Sequence, residues 1–140
     1  MRLLKALFLF TAILASNNII AQCAFFAVVN NHGNSSYGIK NDGSLWVWGW
    51  NNYGQLGDGS TMDRINPVQV GTAKNWKFVA AGERFAFAIN EDGKLFGWGW
   101  NAYGQLGDGT NVAKWSPIQV GSEFTAVTTG PKGAIRFQSQ

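Results

Sequence analysis

The sequence contains one cysteine, one histidine and few charged residues, and each scarcity excludes a class of protein. A single cysteine cannot build a disulfide framework or a cysteine-based zinc site, and a single histidine leaves little for a Ser-His-Asp triad or a two-histidine metal site. With 14% charged and 46% hydrophobic residues, the chain is not a disordered acidic or basic tail. We therefore expect a globular protein with no catalytic residues, no metal site and no cofactor.

Long hydrophobic runs are also missing, apart from one near the N-terminus. Arg2 and Lys5 precede an apolar run at residues 6–15, and small residues follow it. The run is shorter than the roughly 18 apolar residues that a membrane-spanning helix needs. A positive start, a short apolar centre and small residues near a cut predict a helical signal peptide at residues 1–23. We expect a secreted, periplasmic or cell-surface protein that meets a membrane only through this segment.

Without the signal peptide the chain is almost neutral. The segment holds two of the eleven basic residues and no acidic residue, which leaves nine basic against eight acidic side chains, a net charge of +1. Because nucleic-acid binding needs a basic face, we expect no nucleic-acid partner. Cleavage after Cys23 also leaves no cysteine, which suits an oxidising exterior. Lipid attachment at Cys23 is less favoured, because Gln22 stands where such signals need a small residue.

Leucine is scarce beyond residue 23, whereas all 18 glycines lie there. The four leucines are Leu45, Leu56, Leu95 and Leu106. A helical domain would use far more leucine, and aromatic and β-branched residues alternating with glycine favour strands joined by tight turns. The composition predicts an all-β chain.

An internal repeat organises this part of the sequence. Residues 42–71 match residues 92–121 at an offset of 50, with 18 of 30 positions identical, and residues 76–82 match residues 124–130 at an offset of 48. Asp-Gly pairs at residues 42–43 and 92–93 stand between strand-like pieces, which is a strong hairpin signal. The predicted strands are 37–40, 44–50, 67–70 and 78–81 in the first unit, and 85–90, 94–100, 117–120 and 126–128 in the second. Pro67 and Pro117 are tolerable at the first position of a strand.

Four strands in about 50 residues, repeated, describe a propeller blade. The central strand of each unit is apolar on both faces, as expected when blades stack on their neighbours. One face carries Trp46 and Trp48, or Phe96 and Trp98, and the other carries Leu45 and Val47, or Leu95 and Gly97.

The pattern W-G-x-N-x-x-G-Q-L-G occurs twice, at residues 48–57 and 98–107. Together with Val79-Ala80-Ala81-Gly82 and the Asp-Gly hairpin, it resembles the repeat of the regulator of chromosome condensation family. The resemblance covers roughly residues 30–130 and implies a seven-bladed β-propeller. We expect a bacterial, secreted member or a fragment of one.

The length supplies about two four-stranded blades, so the expected fold is an all-β partial β-propeller after the signal helix. Residues 24–140 divide into a first unit at 30–78, a second at 79–130 and the truncated start of a third at 131–140. Seven blades need about 350 residues, and we therefore expect a piece of a longer protein. If the chain exists alone, its exposed blade faces and strand edges predict self-association.

Aromatic and amide side chains follow the central strand of each unit and are the candidate binding residues. They are Trp50, Asn51, Tyr53, Trp100, Asn101 and Tyr103. Clustered Trp and Tyr at a loop rim are typical of recognition surfaces for proteins or sugars, although the tryptophans could instead pack between blades. The two asparagines favour a role in organising the loops.

The remaining polar residues indicate structure rather than chemistry. His32 lies in a polar stretch typical of a surface loop. Asp42, Asp58, Asp92 and Asp108 stand beside glycine, where aspartate forms turns, and they lack the close ligand spacing of a calcium loop.

These observations predict a non-catalytic module that binds another protein or an extracellular glycan. The family resemblance also implies a guanine nucleotide exchange factor with chromatin binding, which the export signal disfavours. Inhibition of an extracellular enzyme, or service as the recognition appendage of an enzyme, stays open.

Overall fold

The computed structural model describes residues 26–32, 34–129 and 135–139 of the 140 residues. The predicted signal peptide lies outside these ranges. The described part contains ten strands and no helix, which confirms the prediction of an all-β chain. Accordingly, none of its elements is a helix long and apolar enough to cross a membrane.

Two four-stranded antiparallel sheets follow one another along the chain, and a two-stranded sheet comes after them. The first blade contains β1 (Phe26–His32), β2 (Ser35–Lys40), β3 (Leu45–Gly49) and β4 (Arg64–Gln69). The second blade contains β5 (Trp76–Ala81), β6 (Phe85–Asn90), β7 (Leu95–Gly99) and β8 (Lys114–Gly121). The last pair is β9 (Phe124–Thr129) and β10 (Ile135–Ser139). In each blade, strands that follow one another in sequence are paired side by side.

The Asp-Gly hairpins are confirmed. The Gly43 amide donates a hydrogen bond to the Lys40 carbonyl over 2.9 Å, and the Gly93 amide donates to the Asn90 carbonyl over 3.1 Å. The Asp42 carboxylate stabilises its own turn by accepting from the Ser44 amide at 3.1 Å. The strand predicted at residues 85–90 is β6 with the same bounds.

The sheets do not follow the boundaries of the sequence repeat. Residues 78–81, expected as the fourth strand of the first unit, lie in β5, which is the first strand of the second blade. The first sheet begins with β1, a strand that the repeat did not predict. Its fourth strand is therefore β4. The blades therefore span residues 26–69 and 76–121, whereas the predicted units are 30–78 and 79–130.

Two further segments form strands that the sequence did not indicate. His32, expected in a loop, ends β1 and pairs with Ser35 of β2. Residues 135–139 form β10 and pair with β9, although they do not reproduce the sequence of the corresponding strand β6. Backbone hydrogen bonding to a neighbouring strand suffices here, since pairing does not depend on a repeated side-chain pattern.

Pro67 and Pro117 lie inside outer strands rather than at their first positions. Pro67 is the fourth residue of β4, and Pro117 is the fourth residue of β8. The pairing register shifts between Val47 and Gly49 in the first blade and between Gly97 and Gly99 in the second. An outer strand with an irregular register tolerates proline, because the missing N–H is not needed by the ladder.

The second blade buries apolar side chains on both of its faces, as predicted. In β6, Ala86 and Ala88 face the first blade, whereas Phe87 and Ile89 face β9. The core between the blades contains Tyr37, Ile39, Leu45, Val47, Leu56, Val70, Trp76, Val79, Ala81, Ala86, Ala88 and Trp98. The second core contains Ala80, Phe87, Ile89, Leu95, Leu106 and Val127. Each blade is thus stabilised mainly by the apolar surface of its neighbour.

One backbone carbonyl joins the two blades inside the first core. The Gln55 carbonyl accepts hydrogen bonds from Tyr37 Oη and from Trp98 Nε1, each at 2.8 Å. Tyr37 and Trp98 are both fully buried. Desolvation raises the pKa of the Tyr37 hydroxyl and outweighs the hydrogen bond with Ser35, which lowers it, so Tyr37 stays a donor. Gly57 makes room for the indole, since a Cβ there would lie 2.6 Å from Trp98 Cδ1.

The contact between Gly57 and Trp98 can be isolated with a matched pair of variants. Gly57 and Gly107 occupy equivalent positions with φ of +70° and +71°, but a Cβ at Gly107 would meet nothing within 4 Å. We expect Gly107→Ala to lower the free energy of unfolding by about 1–2 kcal/mol, the cost of the left-handed backbone. Gly57→Ala should cost about 1–3 kcal/mol more, because the methyl group displaces the indole.

Equilibrium denaturation of both variants measures this difference. Equal losses of unfolding free energy in the two variants would show that the close contact between Gly57 and Trp98 does not contribute to stability.

Candidate functional site

The loops after β3 and β7 are built around a buried asparagine. Asn51 has no exposed surface, and its amide nitrogen donates to the carbonyls of Ser60 at 3.1 Å and Met62 at 3.0 Å and to Asp58 Oδ1 at 3.2 Å. Its Oδ1 accepts from the Leu56 amide at 2.9 Å. One side chain therefore holds both halves of the loop together.

The second loop repeats this arrangement. The Asn101 amide nitrogen donates to Asp108 Oδ1 at 3.0 Å and to the carbonyls of Thr110 at 2.9 Å and Val112 at 3.2 Å, while its Oδ1 accepts from the Leu106 amide at 2.9 Å. Asn101 is also fully buried. Both asparagines organise their loops as predicted. Neither amide reaches the surface, so the structure gives these two candidate binding residues no direct access to a ligand.

Asp58 and Asp108 are held in the ionised state in these loops. Desolvation raises the pKa of Asp108, but hydrogen bonds from Thr110, Asn101 and Lys114 outweigh it and hold the pKa well below its usual 3.8. Lys114 Nζ lies 3.2 Å from Asp108 Oδ2. Desolvation likewise raises the pKa of Asp58, but hydrogen bonds from Ser60 and Arg64 outweigh it, so the pKa of Asp58 is also lowered. These aspartates form turns and pair with cations of their own chain.

Four aromatic rings form a continuous row outside the two loops, which we call the aromatic row. The rings of Trp50 and Tyr53 lie 5.3 Å apart, those of Tyr53 and Trp100 6.2 Å apart, and those of Trp100 and Tyr103 5.0 Å apart. All three pairs meet edge to face, which is the favoured geometry for aromatic pairs. The row crosses from the first blade to the second.

Exposure increases toward one end of the aromatic row. Trp50, Tyr53 and Trp100 are partly exposed, and Tyr103 is 83% exposed. The four predicted aromatic residues are therefore brought together, and the contact between Tyr53 and Trp100 joins the two blades. They pack against one another and still present ring surface to solvent.

Arg84 lies among these rings and was not predicted. Its guanidinium carbon lies 4.7 Å from the centre of the Tyr53 ring and 5.4 Å from that of Trp100. Phe85 pairs with Gly99, so the residues just outside this pair, Arg84 and Trp100, meet at the blade end. The Trp100 amide donates to the Arg84 carbonyl over 2.8 Å. The sequence predicted this hairpin but not its pairing register, and the register is what places Arg84 beside Trp100.

The side chains of the site are mainly aromatic and amide groups. Within the ranges that the structure describes, no group of three or more potential metal-ligating side chains occurs. Asp42, considered above for calcium, accepts from the amide and hydroxyl of Ser44 and stabilises a turn. The chemical resources of the site are aromatic faces, tyrosine hydroxyls and one guanidinium.

The lowered pKa of Asp108 predicts an acid-dependent loss of stability. Ionised Asp108 stabilises the fold above the usual carboxyl pKa of 3.8, and this contribution is lost as pH falls through 3.8 toward the lower folded value. We expect Asp108→Asn to be less stable than the native chain at pH 7, with a melting temperature that falls less steeply between pH 5 and pH 2. The exposed Glu91→Gln variant is the control and should follow the native profile. Parallel profiles for Asp108→Asn and the native chain would contradict this assignment.

Comparison with known proteins gives the same repeat. A model of the regulator of chromosome condensation (RCC1) repeat matches residues 42–89 and 92–133, and a second model of that repeat matches residues 27–55 and 76–105. The ultraviolet-B receptor UVR8 of Arabidopsis thaliana is 40% identical over 47 residues, which cover 34% of this chain and 11% of the receptor.

Solved structures share the fold over most of the chain. Human WBSCR16 has a TM-score of 0.68 and 25% identity, with 75% of this chain and 28% of that chain covered. Prp20p from Saccharomyces cerevisiae has a TM-score of 0.67 and 17% identity, with 75% and 29% covered. The chain thus spans less than a third of the length of these relatives. Because the repeat model matches more than half of its residues, the chain belongs to the regulator of chromosome condensation (RCC1) repeat family.

Proposed function

We propose that the chain is an exported repeat module that binds another protein through the aromatic row and catalyses no reaction. The observation that carries the proposal is the row itself: four edge-to-face rings on two blades that keep exposed surface. Signal-peptide layout at residues 1–23 supports export.

The chemistry of the row suits a protein interface. Trp, Tyr and Arg are the residue types that dominate binding energy at protein interfaces, because they contribute large contact area with little loss of conformational entropy. Here the loops beneath the rings are held by the buried Asn51 and Asn101. A surface that is rigid before binding loses less entropy when the partner docks.

The same fold serves protein binding in a relative. The structural study of Prp20p from Saccharomyces cerevisiae describes its binding to Gsp1p and histones. At 17% identity this supports a propeller as a binding platform and does not transfer those partners to the present chain. For this chain we propose an extracellular or cell-surface partner, while regulation of a small GTPase is the alternative.

Cell location separates these two functions. A full-length chain with a C-terminal tag should be recovered outside the cytosol, shortened by about 23 residues at its N-terminus, because the positive start and apolar centre direct export. Fractionation with mass spectrometry of the N-terminus measures both features. Recovery of the intact chain in the cytosol would reject export and favour the regulator of a small GTPase.

The role of the aromatic row is tested best at its exposed end. Tyr103 is 83% exposed, so Tyr103→Ala should leave the melting temperature close to native while it weakens capture of the partner by at least about tenfold. Capture is measured with immobilised protein and labelled cell-surface or secreted proteins, followed by quantitative mass spectrometry.

A matched control is Ile65→Ser. Ile65 is 93% exposed on β4 and is not one of the four rings of the row, so its substitution should leave the captured set unchanged. Loss of the same proteins in both variants, or in neither, would contradict binding through the row.

A further inference from the structure

Arg84 is the only described cation that lies over two rings of the aromatic row. Its guanidinium carbon lies 4.7 Å from the Tyr53 ring of the first blade and 5.4 Å from the Trp100 ring of the second. Contact with two aromatic faces favours a cation and limits the orientations of the long side chain. The charge is therefore presented in a defined place at the junction of the two blades.

Within the described residues, the charge of Arg84 is poorly compensated. It pairs with Oε1 of Glu83, which lies 3.7 Å from Nη2, and the Glu83 side chain is 68% exposed, which makes this a weak surface pair. Nε of Arg84 is buried without a hydrogen-bond partner in the described part of the chain. A third of the side-chain surface, 35%, is still open to solvent.

The cations of the loops differ from Arg84 in this respect. Arg64 pairs through Nε with the largely buried carboxylate of Asp58, and Lys114 pairs with that of Asp108 at 3.2 Å. Those two cations occupy equivalent positions of the two units and are used to stabilise the loops. Arg84 makes no comparable pair.

The repeat shows that the backbone contact at this position does not require arginine. The position equivalent to Arg84 in the first unit is Asn34, whose carbonyl accepts from the Trp50 amide at 2.9 Å just as the Arg84 carbonyl accepts from the Trp100 amide. The backbone contact is the same with either residue. Only the side chain differs, so the cation over Tyr53 and Trp100 is not needed for this backbone contact.

We propose that Arg84 binds an acidic side chain, Asp or Glu, of the partner protein. This inference rests on the proposed function of the aromatic row and names the chemical group that the row recognises. A guanidinium binds a carboxylate through paired N–H donors in a fixed plane, and the adjoining rings of Tyr53 and Trp100 shield one side of it from water, which strengthens the charge-assisted hydrogen bonds. The rings supply contact area and Arg84 supplies selectivity for an acidic residue.

A random library of 12-residue peptides, selected on the immobilised full chain, tests this proposal. We expect the selected peptides to be enriched in Asp and Glu. Each peptide is then synthesised twice, with its acidic residue and with the corresponding amide, and the dissociation constants are measured for the native chain and for Arg84→Gln.

The expected result is that the double-mutant cycle shows coupling between Arg84 and the acidic residue of the peptide. The amide peptide should bind the native chain at least about tenfold more weakly than the acidic peptide, and Arg84→Gln should weaken the acidic peptide similarly while it leaves the amide peptide unchanged. Arg84→Lys should be intermediate, because lysine keeps the charge and loses the planar fork. Lys94→Gln changes the net charge equally at an exposed position in another turn and should bind both peptides as the native chain does.

Other outcomes overturn the inference in distinguishable ways. Some peptides could lose affinity when Tyr53 or Tyr103 is substituted and yet bind Arg84→Gln as tightly as Lys94→Gln. That result would support binding through the aromatic row and reject the acidic contact of Arg84. Peptides insensitive to all of these substitutions, or failure to select any peptide, would reject both. Binding of polygalacturonate in place of acidic peptides would assign Arg84 to an acidic glycan and reject a protein partner.

Discussion

The Gln55 carbonyl is the point on which the two blades depend. It accepts from Tyr37 in its own blade and from Trp98 in the next, both in a fully buried environment. An unpaired buried donor costs about 1–3 kcal/mol, so any displacement of one blade from the other that breaks either bond is opposed. Apolar burial supplies most of the attraction between the blades, but it is not directional. The two hydrogen bonds define the position of β7, and with it the Trp100 end of the aromatic row.

The same loops connect packing to recognition. On the inside, Asn51 and Asn101 close the loops, and Leu56 and Leu106 enter the two cores. On the outside, the aromatic row crosses from one blade to the other. The inner half is the same in both units, because each loop needs the same bonds. The outer half differs between the units, since Arg84 stands where the first unit has Asn34.

The local features of the fold were predictable because they depend on neighbours in sequence. The Asp-Gly turns, the bounds of β6 and the two apolar faces of the second blade follow from turn chemistry and alternation. The grouping of strands into sheets was not. Residues 78–81 were predicted to end the first repeat, but they lie in the first strand of the second sheet. β1 and β10 form strands although they lack the repeated side chains. Both differences arise because strand pairing is a backbone interaction with a partner elsewhere in the chain.

The candidate site was also predictable from the sequence only in part. The sequence by itself determined the all-β class, the period of about 50 residues, and the presence of Trp50, Tyr53, Trp100 and Tyr103 where strands give way to loops. Tertiary structure decided that these rings form one row, and that Arg84 lies over two of them. Tyr53 and Trp100 are separated by nearly one repeat, and only the stacking of two blades brings them within 6.2 Å. A repeat pattern specifies each blade, whereas contacts between blades arise from the rotation and spacing at which their buried faces fit.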